Sequence, residues 1–225
     1  IENCVMKVAV TGASGFLGRH VLVELESRSV VASVILRPSS SASPSLAKHT
    51  TALMDLQNPP PNAFELMGSP DVLIHLAWGG LPNYKSLHHF EQELPAQYRF
   101  LKGLVESGLK NLVVTGTCFE YGMQSGPLRE NMEARPTNPY GFAKDALRRQ
   151  LEYLKSDQSF TLTWARLFYV YGDGQAENSL LPQLKGAVER GDKVFNMSGG
   201  EQLRDYLHVS DVARHLVSLA MTLRD

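Results

Sequence analysis

Short apolar runs along this chain alternate with longer stretches in which apolar residues recur every three or four positions. The runs predict strands at residues 5–11, 30–36, 51–56, 71–77, 111–115 and 160–170, and the periodic stretches predict helices at 16–27, 86–107 and 138–155. Beyond residue 170 the pattern predicts a helix at 181–190, a short strand at 193–197 and a final helix at 211–223.

The alternation of strands and helices predicts an α/β fold with a Rossmann-like, doubly wound parallel sheet. We expect the sheet domain to cover residues 6–170 and a small, apparently incomplete C-terminal lobe to cover 171–225. In sheets of this kind ligands bind at the carboxyl ends of the strands. Candidate functional residues should therefore lie just after strands.

Composition excludes several classes of protein. The 22 basic and 23 acidic side chains nearly cancel and the basic ones form no cluster, so we predict no nucleic-acid binding. No apolar run approaches the roughly 18 residues of a membrane span.

Cys4 and Cys118 form no CxxC, and no secretory leader precedes the first strand, so we predict a cytoplasmic protein. His88 and His89 lack the spacing of a helical zinc site, so we predict no metal.

The sequence TGASGFLG joins the first predicted strand to the first predicted helix. Glycines at 12, 15 and 18 would let the backbone approach a pyrophosphate, which the N-terminus of the helix would bind through free N–H groups. We predict a dinucleotide site here, the alternative being a purely structural turn. Its residues are Gly12, Ser14, Gly15, Phe16, Leu17 and Gly18.

The end of the second predicted strand indicates which dinucleotide binds. An acidic residue there would hold a ribose 2′-hydroxyl, but Arg37 stands at this point and Arg19 follows the glycine turn. NADP(H) is therefore favoured, NAD(H) stays possible, and both arginines could instead be surface cations. Asp55 and Leu56, after the third strand, are placed to meet the adenine ring.

Two Tyr-x-x-x-Lys pairs occur, each placing a phenol and an ammonium on one helix face. Tyr98/Lys102 lies inside a long helix and is predicted to be a packed or surface pair. Tyr140/Lys144 follows Asn138-Pro139, a helix-start signal after the fifth strand. A nearby lysine ammonium would stabilise the phenolate, so Tyr140 is a candidate general acid or base, and Thr117 could hydrogen-bond the same substrate oxygen.

These residues resemble the extended short-chain dehydrogenase/reductases that act on nucleotide sugars. The resemblance runs through TGASGFLG, DVLIHLAW, TGTCFEYG, YGFAK, RLFYVYG and RDYLHVSDVA, in the family's order. It implies that Tyr140 and Lys144 also contact the cofactor, with Leu76, Ala77 and Trp78 beside it. It further implies that Arg204 contacts the diphosphate of the substrate.

Departures from the family pattern narrow the expected reaction. Family dehydratases carry Asp-Glu where this chain has Cys118 and Phe119, and family epimerases usually carry Asn where it has Tyr169. The resemblance therefore favours a 4-ketoreductase, with Thr117, Phe119, Tyr169 and Arg204 as substrate-binding residues. An NAD-dependent epimerase is the alternative enzyme, and a non-catalytic NADP(H) sensor or scaffold is the alternative of another class.

The resemblance carries two expectations about the whole chain. Family members usually form homodimers through the two long helices, here 86–107 and 138–155. They also continue well past RDYLHVSDVA, so Asp225 is expected to be a shortened terminus.

Overall fold

A computed structural model describes residues 6–39 and 46–222. Six parallel strands form the main sheet, in the order β3-β2-β1-β4-β5-β6. They are β1 (Val8–Thr11), β2 (Ala32–Leu36), β3 (Thr50–Leu53), β4 (Val72–His75), β5 (Asn111–Thr117) and β6 (Thr161–Leu167). This order confirms the predicted doubly wound sheet, whose strand order reverses between β1 and β4.

Helices cover both faces of this sheet. The described helices are α1 (Phe16–Ser27), α2 (Ala63–Leu66), α3 (Leu94–Glu106), α4 (Pro139–Leu154), α5 (Leu180–Glu189) and α6 (Val209–Thr222). Helices α1 and α6 pack on one face and α2, α3 and α4 on the other, whereas α5 is largely exposed. A π-helical turn, His89–Glu93, leads into α3, and a 3₁₀ turn, Cys118–Tyr121, follows β5. A separate two-stranded parallel sheet pairs β7 (Tyr169–Tyr171) with β8 (Tyr206–His208).

Strand β5 shows why the middle of each central strand is apolar. Val113 packs in the core formed with α1 and α6, whereas Leu112 and Val114 pack in the opposite core with α3 and α4. Successive side chains of a strand point to opposite faces, so the part of a strand that is covered on both sides favours apolar residues at consecutive positions. The carboxyl ends of β1, β4 and β5 are thereby held at one edge of the sheet.

Several predicted element boundaries are wrong. Residues 193–197 form no strand, and Val194 and Met197 are exposed. The predicted strand 160–170 is divided at Phe168, where the chain leaves the main sheet for β7. The pattern missed α2 and β8, which are only four and three residues long, too short to show a period.

A few predictions fall outside the described residues. They concern Cys4, the beginning of the first predicted strand at residue 5, the last residue of the final predicted helix, and Asp225. Within the described part of the chain, no helix is both long and apolar enough to cross a membrane.

Candidate active site

The glycine turn is packed too closely to admit side chains. A Cβ on Gly12 would lie 2.8 Å from the backbone nitrogen of Ala77, and one on Gly18 would lie 2.2 Å from the Gly12 carbonyl oxygen. Gly12 also has a positive φ of 73°, which favours glycine. Gly15 is exposed and begins α1 without a side-chain cap. The exposed backbone and the helix N-terminus fit a pyrophosphate, with exposed Ser14 and half-buried Phe16 and Leu17 beside them.

The residues predicted to select the dinucleotide differ in what they contact. Arg37 is exposed directly after β2. The guanidinium of Arg19 instead donates to the carbonyl oxygen of Gly174, at 3.4 Å, in the loop after β7. Asp55 is exposed and accepts a hydrogen bond from the backbone nitrogen of Gln57, so its carboxylate stabilises the turn after β3. Arg37 and Asp55 are thus exposed after β2 and β3, whereas Arg19 contacts the loop after β7.

Tyr140 and Lys144 lie one turn apart at the beginning of α4. The Asn138 side chain caps this helix by accepting from the backbone nitrogen of Gly141, at 2.8 Å. Both candidate side chains are buried. The Lys144 ammonium donates to the carbonyl oxygen of Thr115, at 2.8 Å, and lies 4.2 Å from the ring centroid of Trp78.

Burial dominates the pKa values of this pair. Burial lowers the pKa of Lys144 to about 7, against the opposing effect of Glu120 and Glu93. Burial, with the nearby Tyr84 and Glu120, raises the pKa of Tyr140, and hydrogen bonding by Thr117 only partly offsets the rise. The ammonium is held by the Thr115 carbonyl and the Trp78 ring one helical turn from the phenol, and the role of Lys144 in stabilising a phenolate stays a prediction.

Glu120 has a structural role in this site. Its carboxylate is fully buried and accepts from the backbone nitrogen of Thr117 at 2.8 Å, from Trp164 Nε1 at 3.0 Å and from Arg166 Nε at 2.6 Å. The Thr117 hydroxyl in turn accepts from the backbone nitrogen of Phe119, completing a capping box. Glu120 thus fixes the backbone that presents Thr117 beside Tyr140.

Aromatic rings surround the Tyr140 phenol. The ring centroids of Trp78, Tyr84, His89 and Phe119 lie 6.0, 5.6, 5.2 and 6.2 Å from that of Tyr140. Sequence reasoning missed Tyr84 and His89 because both come from the irregular segment before α3, which carries no motif. A backbone hydrogen bond holds Tyr84 beside Tyr140: the Tyr84 carbonyl oxygen accepts from the Tyr140 nitrogen at 3.2 Å. The two residues are far apart in sequence, so this contact is visible only in the folded chain.

The remaining substrate-binding candidates lie together. The exposed Arg204 guanidinium stacks over the Tyr169 ring, with its central carbon 4.3 Å from the centroid. Burial raises the pKa of the Cys118 thiol, and the charge of Arg204 opposes that rise. Arg204 therefore lies near the end of β5, on the side of the site that Thr117 and Phe119 occupy.

The second Tyr-x-x-x-Lys pair lies elsewhere, as predicted. Lys102 pairs with Glu106 on the surface of α3, and Tyr98 packs against the apolar core.

A model of the NAD dependent epimerase/dehydratase family matches residues 8–224. The chain belongs to that family. This confirms the resemblance drawn from the motifs and places the residues described above in a family of enzymes.

Individual members of the epimerase/dehydratase family are similar to most of the chain. The dTDP-6-deoxy-L-talose 4-dehydrogenase (NAD(+)) of Aggregatibacter actinomycetemcomitans is 30% identical over 92% of this chain and 77% of its own length. A UDP-glucose 4-epimerase of Streptococcus mutans is 28% identical over 95% of this chain and 72% of its own length. The structure of MoeE5 in complex with UDP-glucuronic acid and NAD superposes with a TM-score of 0.81 and 30% identity, covering 97% of this chain and 73% of MoeE5.

Proposed function

We propose that this protein reduces the 4-keto group of a nucleotide-linked 6-deoxyhexose to the 4-hydroxy sugar. The observation that carries the proposal is the buried Tyr140 phenol one helical turn from Lys144 and beside Thr117. Ketone reduction needs a proton donor at the oxygen, and a tyrosine phenol carries its proton at neutral pH.

Each residue of the site has a defined part in this reaction. A bound nicotinamide dinucleotide would supply the hydride. The Thr117 hydroxyl holds the sugar oxygen, and Tyr140 delivers a proton to that oxygen as it becomes an alkoxide. The charged form of Lys144 supports the phenolate that remains after proton transfer.

Three features favour reduction of a 6-deoxy sugar within the family. Cys118 and Phe119 offer no acid–base pair for removing water, and the carboxylate of Glu120 is already held by three donors. The rings of Trp78, Tyr84 and Phe119 form an apolar surface that suits a methyl group. A relative whose name includes a 4-dehydrogenase of a 6-deoxy sugar supports the same reaction class, because reduction and dehydrogenation are one reaction in opposite directions.

We infer a preference for NADP(H) from Arg37, although the relative and the MoeE5 complex both name NAD. The test compares kcat/KM for NADPH and NADH in the wild type and in Arg37→Ala. The substitution should reduce the NADPH/NADH ratio at least tenfold, because one lost charge-assisted phosphate contact is worth about 1.5 to 3 kcal/mol. An unchanged ratio would remove Arg37 from the cofactor assignment.

An NAD-dependent epimerase is the second candidate, favoured by the likeness to UDP-glucose 4-epimerase. The deciding experiment follows absorbance at 340 nm with a panel of nucleotide-linked 4-keto-6-deoxyhexoses. A reductase consumes NADPH or NADH in proportion to product and loses activity in Tyr140→Phe but not in Tyr98→Phe. A parallel assay supplies 4-hydroxy sugars such as UDP-glucose, and formation of the C4 epimer without net consumption of dinucleotide would establish the epimerase instead.

We also propose that the strands of the sheet domain end near residue 170, that α6 completes its core, and that two copies associate through α3 and α4. Phe142 and Leu87 are each 53% exposed on that side, and Phe90 contacts Phe142 with ring centroids 6.0 Å apart. Light scattering should give about twice the 24.9 kDa chain mass. Phe142→Glu should convert the dimer to a monomer.

A further inference from the structure

The π-helical turn His89–Glu93 holds the segment after β4 at two points. Trp78 donates from its indole nitrogen to His89 Nδ1 at 3.1 Å, and the backbone nitrogen of Gly79 donates to Glu93 Oε2 at 3.0 Å. His89 Nε2 contacts the carbonyl oxygen of Asn83 at 2.8 Å. Because the carbonyl can only accept, Nε2 carries the imidazole proton and Nδ1 is free to accept from the indole.

Both residues of this turn are deeply buried, His89 at 0% and Glu93 at 4% exposure. Burial alone would raise the pKa of Glu93, but hydrogen bonds from Gln97 and Gly79 hold it below its ordinary value. A Cβ on Gly79 would lie 2.4 Å from Glu93 Oε1. Only glycine at position 79 lets the carboxylate come this close, so the two contacts form one fitted arrangement.

This arrangement fixes the orientation of the Trp78 indole. One face of the ring lies 4.2 Å from the Lys144 ammonium, and its edge meets Tyr140 with centroids 6.0 Å apart. An aromatic face attracts a cation through its quadrupole, and the attraction is strongest where water is excluded. Lys144 is 1% exposed, so the indole replaces part of its hydration.

We propose that Trp78 is a positioning residue that keeps Lys144 charged, and that His89 and Glu93 hold the indole in place for this purpose. The other groups that face the ammonium are the Thr115 carbonyl, the carboxylates of Glu93 and Glu120, and His75. His75 stays neutral, since burial lowers its pKa to about 3. The effect of Trp78 on the charge of Lys144 does not depend on the proposed function. Only the consequence of that effect for catalysis rests on the proposed function.

The test measures the titration of Lys144 directly, without any substrate. Protein labelled with ¹³C-lysine is titrated by NMR, and the Lys144 Cε signal is assigned by its loss in Lys144→Met. Trp78→Leu should lower the midpoint by about 0.5 to 1.5 pH units, the equivalent of a desolvated cation–π contact. Trp78→Phe keeps a weaker aromatic face and should fall between, and His89→Leu should lower the midpoint by less than Trp78→Leu does.

Two controls show whether a shift of the Lys144 midpoint results from the loss of the Trp78 ring. Gln92→Ala alters the exposed side of the same turn and should leave the Lys144 midpoint unchanged, and the surface Lys102 signal serves as an internal reference. If Trp78 were only a packing residue, its loss would admit water and move the Lys144 midpoint up, toward the ordinary lysine value. An unchanged or raised midpoint in a folded Trp78→Leu protein therefore overturns the inference.

Activity separates this inference from the proposed function. If the wild type reduces keto sugars, the basic limb of its kcat/KM profile should move down in Trp78→Leu by the shift that NMR records. If the midpoint shifts but the wild type turns over no keto sugar, the role of Trp78 stands and the proposed function fails.

Discussion

At the scale of single residues, the sequence identified Tyr140, Lys144 and Thr117 as members of one candidate site but gave no indication of their pKa values. A motif records residue type and spacing, and these placed the phenol and the ammonium one turn apart. Their pKa values depend on burial and on groups distant in sequence, such as Glu93, Glu120 and Tyr84. These partners became visible only in the folded chain.

The lowered pKa of Lys144 predicts a conflict between stability and activity. Lys144→Met should raise the free energy of unfolding at pH 6 by about 2 kcal/mol, because relief from burying a charge exceeds the cost of leaving the Thr115 carbonyl without its donor. Between pH 7 and 10.5 the unfolded wild type binds a proton that the folded form does not, so wild-type stability rises with pH in this window. The advantage of the variant should therefore shrink as pH rises through it.

Urea unfolding at several pH values measures this effect. Lys102→Met is the matched control, since Lys102 lies on the surface and should show no comparable gain at pH 6. A Lys144→Met protein that is less stable than the wild type at pH 6 would mean that the ammonium stabilises the fold. Ketone reduction should be lost in Lys144→Met whichever way its stability changes.

At the scale of elements, the predictions succeeded where a period extended over several turns and failed where contacts decide the structure. Helix α4 was predicted from Asn138-Pro139 and its apolar repeat, and it spans Pro139–Leu154. The π-helical turn was predicted as ordinary helix, because His89 and Glu93 bond to a segment that no helical pattern reveals. The sequence signal for the π-helical turn was the group of polar residues in the first turns of the long predicted helix. The structure shows that two of them, His89 and Glu93, are buried.

Substitution of two glycines by alanine tests whether Gly79 fits closely against the Glu93 carboxylate of this turn. Gly79→Ala should lower Tm by several degrees and reduce activity, since its Cβ would displace the Glu93 carboxylate and with it Trp78. Gly103→Ala, inside α3 with no atom within 4 Å of the added Cβ, should instead stabilise the protein by about 0.5 to 1 kcal/mol. Thermal unfolding of both variants gives the comparison, and a neutral Gly79→Ala would show that the loop accommodates the methyl group.

At the scale of the whole molecule, the chain connects the glycine turn to the C-terminal lobe through helix α1. His20 Nε2 contacts the carbonyl oxygen of Asp173 at 2.9 Å, and Arg19 donates to Gly174. A Cβ on Gly174 would lie 2.6 Å from Arg19 Nη2, so the loop after β7 fits closely against this helix. No sequence pattern relates positions 19–20 to 173–174, because the contact joins segments more than 150 residues apart.

Binding of a dinucleotide at the start of α1 should therefore order the loop after β7. We expect amide hydrogen exchange at residues 172–176 to slow when NADP(H) is added, because ordering the first turn of α1 also fixes the side chains that hold this loop. His20→Ala with Arg19→Ala should abolish that protection while leaving exchange in β5 unchanged. Equal protection in the wild type and the double variant would show that the loop responds to the cofactor by direct contact and not through α1.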